Sequence, residues 1–270
     1  MDIIDFHTHI FPDRIAKQAV EKLAEESGEY QPRTDGTLGG LIASMDAAGI
    51  AASVVANIAT RPAQALPILD FCRRIQGPRI VPTVSFHPDN SLDEVDALLA
   101  EASRLGIRGV KLHPMYQGFA IDDQRMFPWY QLIEHYGFFV IFHTGLDIAF
   151  PGNLQADVGR VKNLAEQFRE LTIVVTHVGG WRQWDRAGML GRLENVYTET
   201  SMTLTEMDDG AFLRILSQFD EHRVLFGSDS PWTDQKEMLE RTMQLAMPDS
   251  RKERLFYRNA MSLLTWDEKT

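Results

Sequence analysis

The chain begins MDIIDFHTHIFPD, with two histidines two positions apart at the end of a short apolar run. Ile3 to Phe6 alternate poorly between apolar and polar residues and read as a fully buried strand of a parallel sheet. Side chains at i and i+2 of a strand share a face, so His7 and His9 point together while Thr8 points away. Two converging imidazoles suit a metal ion, and they suit equally a pair of capping or core histidines at a strand-loop junction. Other residues able to do chemistry recur in similar settings: Arg61 in ATRP, His87 in FHPD, Lys111 and His113 in KLHP, His143 in FHTG, His177 in THVGG and Asp229 in FGSDSPW.

These residues need elements that bring them to one place. Apolar patterning predicts strands over 3–7, 52–58, 79–86, 107–113, 138–144, 171–177, 195–200 and 223–229. Segments with helical periodicity lie between them, such as 91–106, where Leu92, Val95, Leu98, Leu99 and Leu105 form an apolar stripe and Gly106 a stop signal. PAQALPILDFCRRIQG, VGRVKNLAEQFREL and DGAFLRILSQFDEH are others, and SRKERLFYRNAMSLLTW reads as a final helix before a polar tail, DEKT. Eight short strands alternating with helices predict an α/β fold, a (β/α)8 TIM barrel, with an open doubly wound sheet as the alternative. No linker, charge block or low-complexity tract divides the chain, which predicts one domain over 1–270.

The strands sort the histidines. His7, His9, His87, His113, His143 and His177 fall at or just past predicted strand ends, leaving His135 and His222 elsewhere. Those ends amount to about 24 positions, where roughly one histidine would fall by chance, and barrels carry their active sites on that face. Three or four imidazoles with Asp229 at a barrel mouth form the ligand set of a catalytic transition metal with open positions. The alternative is a metal-free cleft in which the histidines and Arg61 bind an anion. Lys111 and His113 share a strand face, so both can enter the mouth. Trp181, Trp184 and Trp232 could form an aromatic wall or pack the rim. The direction of Glu199, between Thr198 and Thr200, is not readable, and structural pairing is the default for it.

Composition narrows the function classes. A net charge of -11 opposes binding to nucleic acid or an anionic membrane surface. The single Cys72 excludes an internal disulfide framework, and no leader-like or membrane-spanning apolar run is seen, so a cytoplasmic protein is expected. No glycine-rich phosphate loop follows a strand, so nucleotide dependence is not indicated.

HTH on the first strand, FHTG on the fifth, THVGG on the sixth, GSDSPW on the eighth and RNAMSLL in the last helix resemble the amidohydrolase superfamily. They are most similar to its amidohydrolase-related group, which includes aminocarboxymuconate-semialdehyde decarboxylase and resorcylate decarboxylases. The resemblance implies one divalent transition ion, zinc first and manganese second, held by His7, His9, His143 and Asp229. It implies that Asp229 also handles the proton of an attacking water and that His177 acts as an acid or base beside the metal. Lys111, in binuclear relatives a carboxylated bridge, would more simply hold a substrate carboxylate, with His113, Arg61, His87, Trp181 and Trp232 as further substrate contacts.

The expected reaction is metal-dependent hydrolysis of an amide, lactone or ester bond in a small carboxylated or cyclic substrate. Non-oxidative decarboxylation of an unsaturated or aromatic acid is the alternative. The decarboxylases of the group carry extra segments after the first strand, and this chain is short, which inclines the reading to hydrolysis. A non-catalytic ligand-binding barrel ranks third. The expected partner is a small, anionic molecule, and a homo-oligomer is left open.

Overall fold

In the computed structural model, which describes residues 2–264, eight parallel strands alternate with helices. The strands are β1 Ile4–Thr8, β2 Ala52–Ala56, β3 Ile80–Thr83, β4 Gly109–Leu112, β5 Phe139–Phe142, β6 Ile173–Val175, β7 Val196–Glu199 and β8 Val224–Leu225. Helices α1 Asp13–Ser27 and α2 Leu38–Ala48 separate β1 from β2, followed by α3 Ala65–Ile75 and α4 Leu92–Arg104. Then come α5 Pro114–Gln117, α6 Phe127–His135, α7 Val158–Gln167, α8 Thr203–Glu206 and α9 Asp209–Leu216. After β8, α10 Gln235–Gln244, α11 Asp249–Glu253 and α12 Asn259–Leu264 end the described chain, the last two joined by a π-helical turn over Arg254–Arg258.

Local chemistry explains the boundaries. Ser91 caps α4 by accepting from Glu94 N while the Glu94 carboxylate accepts from Ser91 N, and Gly106 at φ 78° lets the chain turn away beyond the helix. Between β6 and β7 the alternation expected from sequence lapses, since that connection holds only a 3₁₀ turn at Ala187–Met189. A Cβ on Gly188 or Gly191 would run into Gln218, so this segment is shaped by close contact rather than by helical periodicity. The final helix continues the sequence-based segment through Leu264, while the rest of that segment and the DEKT tail lie outside the described residues.

Two hydrogen-bonded sheets, β1-β2-β3 and β4-β5-β6-β7-β8, are joined at both seams. At one, Val84 bridges Val110 and Lys111 N donates to Val84 O at 2.9 Å. At the other, Thr8 bridges Ser230 and Asp229 N donates to His7 O at 2.8 Å. The strands therefore run round a ring, the (β/α)8 arrangement. The buried Asp5 clasps the second seam: it accepts from His7 N (3.1 Å), Ser228 N (2.9 Å), Ser228 Oγ (2.5 Å) and Gln235 Nε2 (2.7 Å). Alternate strand residues divide between two apolar clusters. Ile4, Phe6, Val54, Phe139, Ile141, Val174 and Leu225 pack inside with Ala260 of α12, whereas Val55, Ile80, Val110, Val140 and Val175 pack outward among the helices.

Candidate metal centre

The inner cluster sets a problem for β1, because Ile4 and Phe6 already face inward and strict alternation would send His7 out. The pairing of β1 with β2 shifts register between Asp5 and Thr8, and this irregularity returns His7 to the inner face. There the His7 and His9 rings converge, with their Nε2 atoms 3.0 Å apart. Each ring's other nitrogen faces an acceptor: His7 Nδ1 lies 2.9 Å from Glu199 Oε1, and His9 Nδ1 lies 2.7 Å from Ala56 O. A carboxylate and a carbonyl can only accept, so both Nδ1 atoms carry hydrogen, and both Nε2 atoms are turned into the barrel mouth.

Asp229 completes the convergence. Its Oδ1 lies 3.1 Å from His9 Nε2 and 3.6 Å from His7 Nε2, and its backbone takes the left-handed conformation at φ 67°. Burial alone would raise its carboxyl, but the neighbouring His7 and His9 hold it well below the usual carboxylate range. Three potential ligand atoms thus crowd one buried point. Such a point is stable only when a proton or a cation enters it, and the donor set fits a divalent transition ion.

His177 enters from β6 through another left-handed residue, at φ 59°. Its Nδ1 meets Ser201 Oγ at 2.8 Å and Ser201 O at 3.2 Å, so this nitrogen carries hydrogen and Nε2 keeps the lone pair. Burial, against the pull of Glu199, keeps the ring neutral down to about pH 3. One carboxylate organises the group. Glu199 receives His7 Nδ1, the His177 backbone N–H (3.0 Å) and the Ser201 hydroxyl (2.8 Å). Burial would raise Glu199, yet His7 and the other donors hold it near 2. The structural pairing expected of Glu199 is therefore a second layer that fixes ring tautomers.

On the opposite side, His113 Nε2 and His143 Nε2 approach the same Asp147 oxygen at 3.2 and 3.6 Å, with the two rings stacked at 4.4 Å. His143 Nε2 also lies 3.0 Å from Leu146 O and so donates there, which leaves its lone pair on Nδ1. Donor atoms of His7, His177 and Asp229 lie within 4.8 Å of one another, and those of His113, His143 and Asp147 form a second such group. The structure thus draws His177 toward the first cluster and His143 toward the second, a different grouping from the one the sequence resemblance implies. Asp147 escaped sequence reasoning because it sits in the loop after β5, where no periodicity points to it. Lys111 is 1 % exposed, and its ammonium has no hydrogen bond or ion pair among the described residues.

Above these groups opens a cavity of about 890 Å³. Arg61, Trp181 and Trp232 line it, along with Lys111, His113, His143 and His177. His87 is not among the lining residues: its Nδ1 accepts from Asp89 N at 3.1 Å, which ties the ring to its own turn. Trp184 also leaves the expected aromatic wall, since its Nε1 donates to His177 O at 2.7 Å.

The glycines of FHTG and HVGG serve backbone packing. A Cβ on Gly180 would stand 2.8 Å from Val158 Cγ2, and one on Gly145 (φ 89°) would stand 2.2 Å from Trp181 N. Their missing side chains let the β5 and β6 loops touch, where Gly145 bridges Trp181. Gly145→Ala is therefore expected to cost about 3 kcal/mol or more and to lower Tm by roughly 6–12 °C. Gly118→Ala, at φ 70° with nothing near its Cβ, should cost only about 1–2 kcal/mol. Equal Tm losses in calorimetry would deny the packing role.

Comparison with known proteins places this geometry in context. No curated protein matches the chain. Among solved structures, an uncharacterised TIM-barrel protein from Bordetella bronchiseptica superposes with TM-score 0.80 at 22 % identity, covering 98 % of each chain. The 5-carboxyvanillate decarboxylase of Sphingomonas paucimobilis gives TM-score 0.73 at 15 % identity, covering 97 % of this chain and 98 % of its own. The 5-carboxyvanillate decarboxylase of Novosphingobium aromaticivorans, solved with manganese and 3-methoxy-4-hydroxy-5-nitrobenzoic acid, gives 0.73 at 14 % identity over 98 % and 97 %. These likenesses establish a shared barrel. Residues 4–266 match the family described as Amidohydrolase, and the HxH pair on β1, the histidines after β5 and β6 and the aspartate after β8 all lie within that span. The chain belongs to the amidohydrolase family.

Proposed function

We propose that the protein is a metal-dependent, non-oxidative decarboxylase of an aromatic or unsaturated carboxylic acid. The observation that carries this reading is Lys111, a buried ammonium with no hydrogen bond or ion pair among the described residues, in the field of Asp229, Glu199 and Asp147 and lining a largely apolar cavity. A buried cation of this kind awaits an anion. Decarboxylases of the same fold bind benzoate derivatives, and this favours loss of carbon dioxide over the hydrolysis that the short chain suggested.

His7, His9 and Asp229 would hold the ion, with His143 Nδ1 as a fourth donor. A divalent ion there would polarise a substrate oxygen and offset the charge developing on it. The remaining work falls to the chain. Lys111 would pair with the departing carboxylate, and the apolar walls would exclude water from it. The reaction takes up one proton at the carbon that releases carbon dioxide. His177 would supply it from Nε2, since the Nδ1–H bond to Ser201 leaves that atom to titrate and a bound anion raises its proton affinity.

Manganese-loaded protein offered a panel of hydroxylated benzoates should release carbon dioxide with stoichiometric formation of the decarboxylated ring. Cleavage of lactones or amides without carbon dioxide release would restore the hydrolase reading, with Asp229 as the base.

Burial lowers the Lys111 ammonium to about 8. Below that pH the lysine is charged and holds the carboxylate; as pH rises through it the charge is lost, so kcat/KM should fall on the alkaline side. Lys111→Met should raise KM roughly 10–100-fold and flatten that limb. Loss of one of two ions in the same variant would instead make Lys111 a carboxylated bridge.

A further inference from the structure

The cavity is larger than the metal centre needs. Ala16, Val20 and Ala24 of α1 are buried against the protein, as an amphipathic helix requires. A second apolar stripe, Ile15, Ala19 and Leu23, faces the cavity. None of these three is buried, and Ile15 is 41 % exposed. Residues spaced by four stack along one helix face, so the stripe runs for about 12 Å. Pro67, Ile68 and Phe71 of α3 line the same cavity. The space also includes His7 and Lys111, and its volume of about 890 Å³ falls at the upper end of the roughly 300–1,000 Å³ usual for small-molecule sites.

A single ring seated at the histidines would leave these walls in water. We propose that the substrate carries, besides the carboxylate at Lys111, an extended apolar alkyl or aryl group that lies in the channel between α1 and α3. This rests on the carboxylate reading of the site, and it deepens that reading by assigning the substrate class: amphipathic acids with one anionic end and one apolar tail.

Binding can be measured without turnover. Titration calorimetry on the manganese-loaded protein with butyrate, hexanoate, octanoate and decanoate should show Kd falling about three- to fourfold per methylene through octanoate. Ala19→Trp, which fills the channel away from the metal centre, should leave butyrate binding unchanged and bring octanoate and decanoate to within about threefold of it. Should that variant fail to fold by circular dichroism, Ile68→Gln is expected to weaken the long acids selectively in the same way. A flat series, or a length dependence that survives the folded substitution, would overturn the channel. Matching 1-alkanols separate the two ideas, because alkanols binding as tightly as the acids would refute carboxylate capture while leaving the channel standing.

Discussion

Replacing His7 and His9 together by alanine is expected to strip the ion from the protein, abolish activity and leave the barrel folded. Their two Nε2 atoms meet at 3.0 Å and share Asp229 Oδ1, so the double change removes two of the three converging ligand atoms. Loss of an outer partner alone costs roughly 10–100-fold in metal affinity, and loss of two inner donors should cost far more. The two apolar clusters do not depend on these rings, so circular dichroism should be unchanged. Metal content by elemental analysis checks the outcome. Full occupancy in the double variant would move the ion elsewhere, with His113, His143 and Asp147 as the place to look.

His177→Asn is the second substitution with a large expected effect. It retains a polar side chain that can meet Ser201 but removes the titrating Nε2. The expected result is a kcat lower by roughly 10² to 10⁴ with metal retained, the range for a lost general acid or base, together with loss of one limb of the pH-rate profile. Because the donor atoms of His177, His7 and Asp229 lie within 4.8 Å of one another, the variant also decides its place. Metal lost along with activity would make His177 a ligand, and unchanged kcat would make it structural.

What the sequence makes legible follows from periodicity. The eight strands are readable because each is a short, buried apolar run, and the histidines stand out because they end those runs. The pairing of His7 with His9 is readable from two-residue parity, but the register shift that turns both inward after Phe6 is not, since it depends on how β1 pairs with β2. Glu199 lies on a readable strand, yet its partners come from β1, β6 and the turn at Ser201, so no local pattern reveals its role. Asp147 and the turned ring of His143 depend on loop conformation, which local spacing does not specify. The second glycine of HVGG makes room for Val158 and the neighbouring backbone, a contact that only the fold reveals. The stripe on α1 is visible as spacing by four, but only the fold shows that it borders a cavity.

The seam clasped by Asp5 carries a consequence for the order in which the protein matures. His7 and His9 leave the ribosome well before Asp229 and Ser228, which arrive with β8. Until β8 docks beside β1, two imidazoles have no carboxylate to share, and a nascent chain cannot hold the ion in its final coordination. With the proposed ligand set, metal loading would follow strand docking, and the ion would act as a latch on a junction already made. At a free concentration of 100 times Kd such a latch adds about 2.7 kcal/mol to stability. Apo protein should accordingly open first between β1 and β8, and amide exchange at His9 and Asp229 should slow when the ion is added.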